Sequence, residues 1–183
     1  MQQARHVLGI SGYSGSGKTT LIEQLLPRLR AAGLCVSVIK HTHHEFDLDQ
    51  PGKDSWRHRQ AGAAEVLLAG GQRWALLHEL RRQPEPALPA LLARLAPCDL
   101  VLVEGFKQEP FAKLEVYRSA PGKPPLYLSW PDVVAVASDG PLPAALPAGL
   151  QLLNLNAPDE IAGFILRQLA AWRYAPTDQH HQP

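Results

Sequence analysis

Apolar positions fall into two periods along this chain, and their order sketches an architecture. His6 to Ser11 is a short, largely apolar run that ends in a glycine cluster, the pattern of a strand. Residues 18–32 place Leu21, Ile22, Leu25, Leu26 and Leu29 at helical spacing. Arg28 and Arg30 lie toward the end of that segment, where cations favour the helix dipole, and Gly33 suits the position just past it. Pro27 opposes a regular interior, because a proline there costs about 3 kcal/mol, so a kink or an early end is expected. Cys35 to Lys40 reads as a second strand. Strand, helix and strand at this spacing form a βαβ unit, which implies parallel strands and a right-handed crossover.

His41 to Lys53 is polar and aperiodic, so it reads as a loop long enough to suggest a function. Asp54 can cap a short helix reaching Gln60. Ala64 to Ala69 and Arg73 to His78 are β-like runs separated by Gly70-Gly71, a hairpin signal. Ala87 to Ala96 reads as a helix bounded by Pro86 and Pro97. Asp99 to Val103 is almost wholly apolar, the mark of a strand buried on both faces. Leu114 to Tyr117, Leu126 to Leu128, Val133 to Ala137 and Leu152 to Leu155 are further short strands. Pro158 suits the first position of a last helix, running to Trp172. These elements predict an α/β fold: a mainly parallel, twisted sheet with helices on both faces. Residues 1–173 are expected to form a single domain, and 174–183 a polar, flexible tail.

Composition narrows the classes. A chain of 183 residues with 45% hydrophobic and 19% charged positions can bury a sizeable core, which excludes a disordered, collagen-like or disulfide-stapled chain. Lys+Arg 18 against Asp+Glu 17 leaves a net charge of +1, which supports neither a nucleic-acid partner nor a membrane partner. No apolar run approaches the roughly 18 to 20 residues of a membrane span, and the N-terminus lacks a signal-peptide pattern, so a cytoplasmic protein is expected. Cys35 and Cys98 sit in apolar stretches without CxxC spacing and are expected to be buried free thiols in a reducing compartment.

The chemistry concentrates at Gly12-Tyr13-Ser14-Gly15-Ser16-Gly17-Lys18-Thr19, a complete GxxxxGK(S/T) phosphate loop between a strand and a helix. Its glycines let successive N–H groups turn toward phosphate oxygens, and the helix N-terminus adds partial positive charge. Lys18 can reach the β- and γ-phosphates, and Thr19 offers a hydroxyl to Mg²⁺. Tyr13 stands where partition-type ATPases carry a lysine, so that subclass does not fit. Asp99 to Gly105 resembles a Walker B strand, with Glu104 emerging at the carboxyl end beside the loop to hold a magnesium-bound water or polarise the attacking one. Asp99 should lie at the opposite end.

The segment from Lys40 through His41, His43, His44, Glu45, Asp47 and Asp49 is rich in ligand-type side chains. A transition-metal site, a switch-like polar loop and a place for Asp47 or Asp49 near Mg²⁺ are its open readings. Gly52 to Arg59 can meet phosphates, an acidic partner or only solvent. No NKxD tetrapeptide for reading a guanine base is present; Ser138-Asp139, after the 133–137 strand, is its nearest positional substitute.

Together, GYSGSGKTTLIEQL at 12–25, IKHTHHEFDLDQPGKDSWRHRQAGA at 39–63 and DLVLVEGFK at 99–107, with a weaker VVAVASD at 133–139, resemble the MobB family of bacterial molybdopterin-guanine dinucleotide biosynthesis adapters. The resemblance implies a P-loop fold, GTP and Mg²⁺ as ligands, slow hydrolysis and a homodimer. It also implies partnership with the MobA-like molybdenum cofactor guanylyltransferase that joins GMP to molybdopterin. On matching positions, it implies that Gly12, Gly15, Gly17, Lys18, Thr19 and Thr20 bind phosphate, with Thr19 on Mg²⁺, and that Glu104 and the Asp47–Asp54 loop complete the site. Two alternatives keep the same loop: a small-molecule kinase or ligase, and a non-catalytic nucleotide-binding subunit.

Overall fold

The computed structural model describes residues 6–42, 46–119 and 123–174, so His43, His44, Glu45 and the 175–183 tail lie outside the described residues. The chain forms two compact units, one running to His41 and resuming at Leu88, the other spanning residues 42–87.

The first unit is built on a six-stranded sheet. Its strands are β1 (His6–Ser11), β2 (Val36–Lys40), β5 (Leu100–Glu104), β6 (Lys113–Tyr117), β7 (Val133–Ser138) and β8 (Gln151–Asn154), in the order β2-β5-β1-β6-β7-β8. Every pairing in this sheet is parallel. Side chains that alternate along β1 and β5 divide between two cores. Leu8, Ile10, Leu100 and Leu102 pack with helices α1 (Lys18–Ala31) and α4 (Pro158–Gln168), whereas Val7, Val101 and Val103 pack with Leu88 and Leu92 of α3 (Leu88–Arg94). The sheet therefore carries helices on both faces.

Helix α1 runs through Pro27 to Ala31 without ending early. Leu25 and Leu29, buried on either side of it, anchor both halves against the sheet, and this burial offsets the local cost of the proline. The last helix ends at Gln168, and a short 3₁₀ turn over Leu169–Ala171 carries the chain to Trp172.

Two expectations are corrected. Leu126–Leu128 is a 3₁₀ turn, not a strand. Its N–H groups at Leu126 and Tyr127 donate to the buried Glu115 carboxylate on β6, at 2.7 and 2.9 Å, which removes them from any ladder. Burial pushes the Glu115 pKa up, and those two N–H groups oppose the shift. Cys35 is exposed and Cys98 half-buried, both free, rather than buried. Cys35 immediately precedes β2, the edge strand of the sheet, so no neighbouring strand covers it. Its N–H donates to Asp99 Oδ2 at 2.7 Å, which gives Asp99 a structural task at the end of β5 remote from the phosphate loop.

The second unit contains α2 (Asp54–Gln60) and the antiparallel hairpin β3 (Glu65–Ala69) and β4 (Trp74–His78), closed by Gly70 N–H donating to Arg73 O at 3.0 Å. Arg59 organises this unit. Its guanidinium meets both Asp47 oxygens at 2.8 and 2.7 Å, Asp49 at 3.3 Å and Glu79 at 2.7 Å. The Arg59 hydrogen bonds hold the Asp47 carboxyl below the usual carboxylate range. A depressed folded-state pKa contributes stability that is complete above the unfolded value, about 3.9, and is lost as pH falls through the lower folded value. Melting curves of the whole chain, followed by circular dichroism between neutral pH and pH 2, should therefore show destabilisation setting in below about pH 4. Arg59→Ala should lower stability at neutral pH and weaken that acid dependence. An unchanged acid limb in the variant would contradict this account.

Candidate functional site

The site assembles where the parallel strands of the first unit end. Because β1 pairs with β5 on one side and β6 on the other, Ile10 lies in register with Glu104 and Ser11 with Glu115. The phosphate loop that follows β1 is thereby flanked by the ends of both neighbours. This is the side of a parallel sheet where α/β proteins place their ligands.

Gly12, Gly15 and Gly17 all have positive φ, at 145°, 80° and 98°, a conformation that L side chains rarely adopt. Gly17 is the N-cap of α1, and the first turn of that helix contains no acidic residue. An anion is thus met by helix N–H groups without a competing carboxylate on the same turn. The Ser16 hydroxyl is buried inside the loop without a hydrogen-bond partner. An orphaned donor in a glycine-rich cradle fits a phosphate oxygen acceptor. Tyr13 braces the outer part of the loop: its hydroxyl donates to Pro124 O at 2.9 Å, and Lys123 Nζ lies 5.4 Å from its ring centroid.

Gly12 has the tightest surroundings. A Cβ there would stand 2.5 Å from Val116 O and 2.7 Å from Ser16 Oγ, on a backbone at φ +145°. Gly12→Ala should therefore deform the loop or push β6 away, at a cost of about 1–3 kcal/mol for the strained backbone alone. Thermal melting and nucleotide titration of the variant check this, and wild-type values in both would refute it.

Lys18 Nζ donates to Tyr13 O at 2.9 Å. Burial pushes the Lys18 pKa down, Glu104 pulls it up, and Lys107 and Lys40 push it down further. Thr19 Oγ1 donates to Glu104 Oε2 at 3.4 Å, and Lys40 Nζ lies 3.8 Å from the same oxygen. Glu104 is only 13% exposed. After it the chain turns sharply: His41 N–H donates to Glu104 O at 2.8 Å, and the His41 ring stacks on Phe106 at 4.6 Å. Phe106 itself has φ +47°, a strained value for a bulky residue.

The structure thus gathers Gly12 through Thr20 with Glu104 at one end of the sheet. Asp139 follows β7, and its carboxylate pairs with Arg118. Asp47 belongs to the second unit, where both of its oxygens accept from Arg59. Among the described residues, no group of three or more His, Cys, Asp or Glu is arranged to hold a metal ion. The motif reading missed Arg118. Its Nε donates to Ser16 O at 3.1 Å, so a cation outside every recognised motif supports the phosphate loop. A single arginine after an apolar strand carries no pattern that would single it out.

Comparison with known proteins agrees with this geometry. The family model described as "MobB: Molybdopterin guanine dinucleotide synthesis protein B" matches residues 7–139. A Haemophilus influenzae protein named molybdopterin-guanine dinucleotide biosynthesis adapter protein is 46% identical, over 87% of this chain and 86% of its own length. A protein of the same name from Escherichia coli K12 is 43% identical, over 87% and 91% respectively. A crystal structure titled as molybdopterin-guanine biosynthesis protein B superposes with a TM-score of 0.69 at 28% identity, covering 89% of this chain and 99% of that one.

Proposed function

The chain belongs to the MobB family, and from that premise we propose that it is a GTP-binding adapter of molybdopterin-guanine dinucleotide biosynthesis. In this reading it is a weak, Mg²⁺-dependent GTPase of the cytoplasm that assists a MobA-like guanylyltransferase in attaching GMP to molybdopterin. The observation that carries the proposal is the junction of a glycine-rich phosphate cradle with the Thr19–Glu104 contact across β1 and β5.

Within the cradle, the N–H groups of residues 13–20 and the Ser16 hydroxyl receive phosphate oxygens, while Lys18 neutralises the β- and γ-phosphates. Thr19 and Glu104 would hold a Mg²⁺ ion, which takes few protein oxygens beside substrate phosphates. A bound Mg²⁺ supplies charge neutralisation at the developing phosphate oxygens. Glu104 would also orient the attacking water. Asp47, which the family resemblance adds to the magnesium set, accepts from Arg59 within the second unit.

A homodimer is part of the same proposal. A two-stranded hairpin is marginal in water, and on one face β3 and β4 leave Leu67, Trp74 and Leu76 exposed, with Trp74 at 68%. A second copy would cover that face, and light scattering reads the doubled mass. Among the described residues, no helix is long and apolar enough to cross a membrane. Nucleotide calorimetry with Mg²⁺ tests the reading: GTP binding supports it, and a chain that binds no nucleotide refutes it.

A further inference from the structure

Arg118 joins two parts of the site that the sequence keeps far apart. It follows β6, donates from Nε to Ser16 O in the phosphate loop, and pairs through Nη1 with Asp139 after β7. The guanidinium lies over Gly17, where a Cβ would stand 3.8 Å from both Nε and Nη2. The same side chain lines a cleft of about 470 Å³ that starts at Gly17 and Thr20 and extends to Leu155 and Asn156 beyond β8. That volume is ordinary for a small-molecule site, within roughly 300–1,000 Å³. The cleft opens directly off the phosphate cradle and has room for a nucleoside.

We propose that Arg118, which lines this cleft, is a specificity-determining positioning residue that holds its partner Asp139 as the reader of a guanine base. The inference rests on the reading of the loop as a nucleotide site. An unpaired carboxylate beside a triphosphate cradle would repel the ligand, and the guanidinium cancels that charge while fixing the carboxylate in place. A carboxylate has about four acceptor positions, and Arg118 occupies one of those on Asp139, at Oδ2. Guanine presents two adjacent donors, N1–H and the 2-amino group, to such a carboxylate. Adenine presents a ring acceptor at the same edge and no 2-amino group. The pair therefore supplies what an NKxD tetrapeptide supplies, from two strands instead of one. The anchor on Ser16 O couples base reading to the phosphate loop.

The test is calorimetric titration of the full chain with Mg²⁺ and four probes: GTP, ITP (which lacks the 2-amino group), XTP (which carries an oxygen in its place) and inorganic triphosphate. Melting curves establish that each variant is folded. Wild type should prefer GTP to ITP by about ten- to hundred-fold, the worth of a hydrogen bond to a charged group. Asp139→Asn should lose GTP affinity and gain XTP affinity, because an amide donates to the xanthine oxygen. Arg118→Ala should collapse the GTP-to-ITP preference, beyond the loss of affinity that inorganic triphosphate shares. Arg118→Lys should keep the charge and restore only part of the preference. A merely structural arginine would lower all four ligands by the same factor and keep the preference, and that result overturns the proposal. So does an Arg118→Ala chain that keeps the full preference. Wild type that binds triphosphate without preferring GTP overturns this inference alone; wild type that binds none of the four overturns the nucleotide-site reading as well.

Discussion

Lys18→Ala is expected to weaken Mg²⁺·GTP binding by about ten- to hundred-fold. The ammonium is drawn into the loop by the Tyr13 carbonyl, half-shielded from water, and stands beside Glu104, which favours its charged form. A charge-assisted contact in such surroundings is worth about 1.5–3 kcal/mol, which sets the expected loss. Lys40 and Lys107 also bear on Lys18 electrostatically. Lys40 belongs to β2 and Lys107 follows the Phe106 turn, so neither is within the loop to replace the missing contact. Calorimetry with Mg²⁺ present measures the effect. Wild-type affinity in the variant would show that the loop is not the binding site.

The second large effect is expected at Glu104. Glu104→Gln preserves size but removes the charge that Thr19 Oγ1 and Lys40 Nζ meet at 3.4 and 3.8 Å. A positioned carboxylate that orients water or a metal contributes on the order of 10²–10⁴ in rate. Steady-state GTP hydrolysis should fall by about 10²-fold or more, and the Mg²⁺ concentration giving half-maximal turnover should rise. GTP affinity should change less than in Lys18→Ala, since Glu104 makes no direct phosphate contact in this account. A Glu104→Gln chain with wild-type turnover and wild-type Mg²⁺ dependence would remove Glu104 from the machinery.

What the sequence revealed follows the range of the interactions concerned. The phosphate loop was legible because its eight consecutive residues carry the whole requirement, and the βαβ order placed it at the carboxyl edge. Glu104 was legible because the first polar residue after a buried apolar run falls at the carboxyl end of the strand. The Leu126–Leu128 turn was not, because apolar residues there answer to the Glu115 carboxylate, which lies 11 residues upstream of Leu126 on another strand. Cys35 lies in an apolar run, yet its exposure depends on β2 being the edge of the sheet, a fact of topology. Arg118 shows the same limit most clearly. Only the pairing of β6 with β1 carries it to Ser16, 102 residues away in the chain. The pairing of Asp47 and Asp49 with Arg59 is equally hidden in the sequence, since it depends on α2 turning Arg59 back onto both of them.

The central claim is that the chain acts as an adapter whose own turnover is slow. In the proposed reading the cradle, Thr19 and Glu104 would provide binding and a metal position. Arg118, the arginine that the fold brings to the loop, is bound to Ser16 O and Asp139. An arginine delivered to the transition state contributes about 10³–10⁵ in rate, and that contribution is assigned here to a partner. The direct measurement is steady-state GTP hydrolysis by the isolated chain and then with the MobA-like guanylyltransferase added, alongside light scattering of the mixture. The account predicts slow turnover alone, physical association, and a rise in turnover on association. Turnover of several per second by the isolated chain, or no association with the transferase, would contradict it.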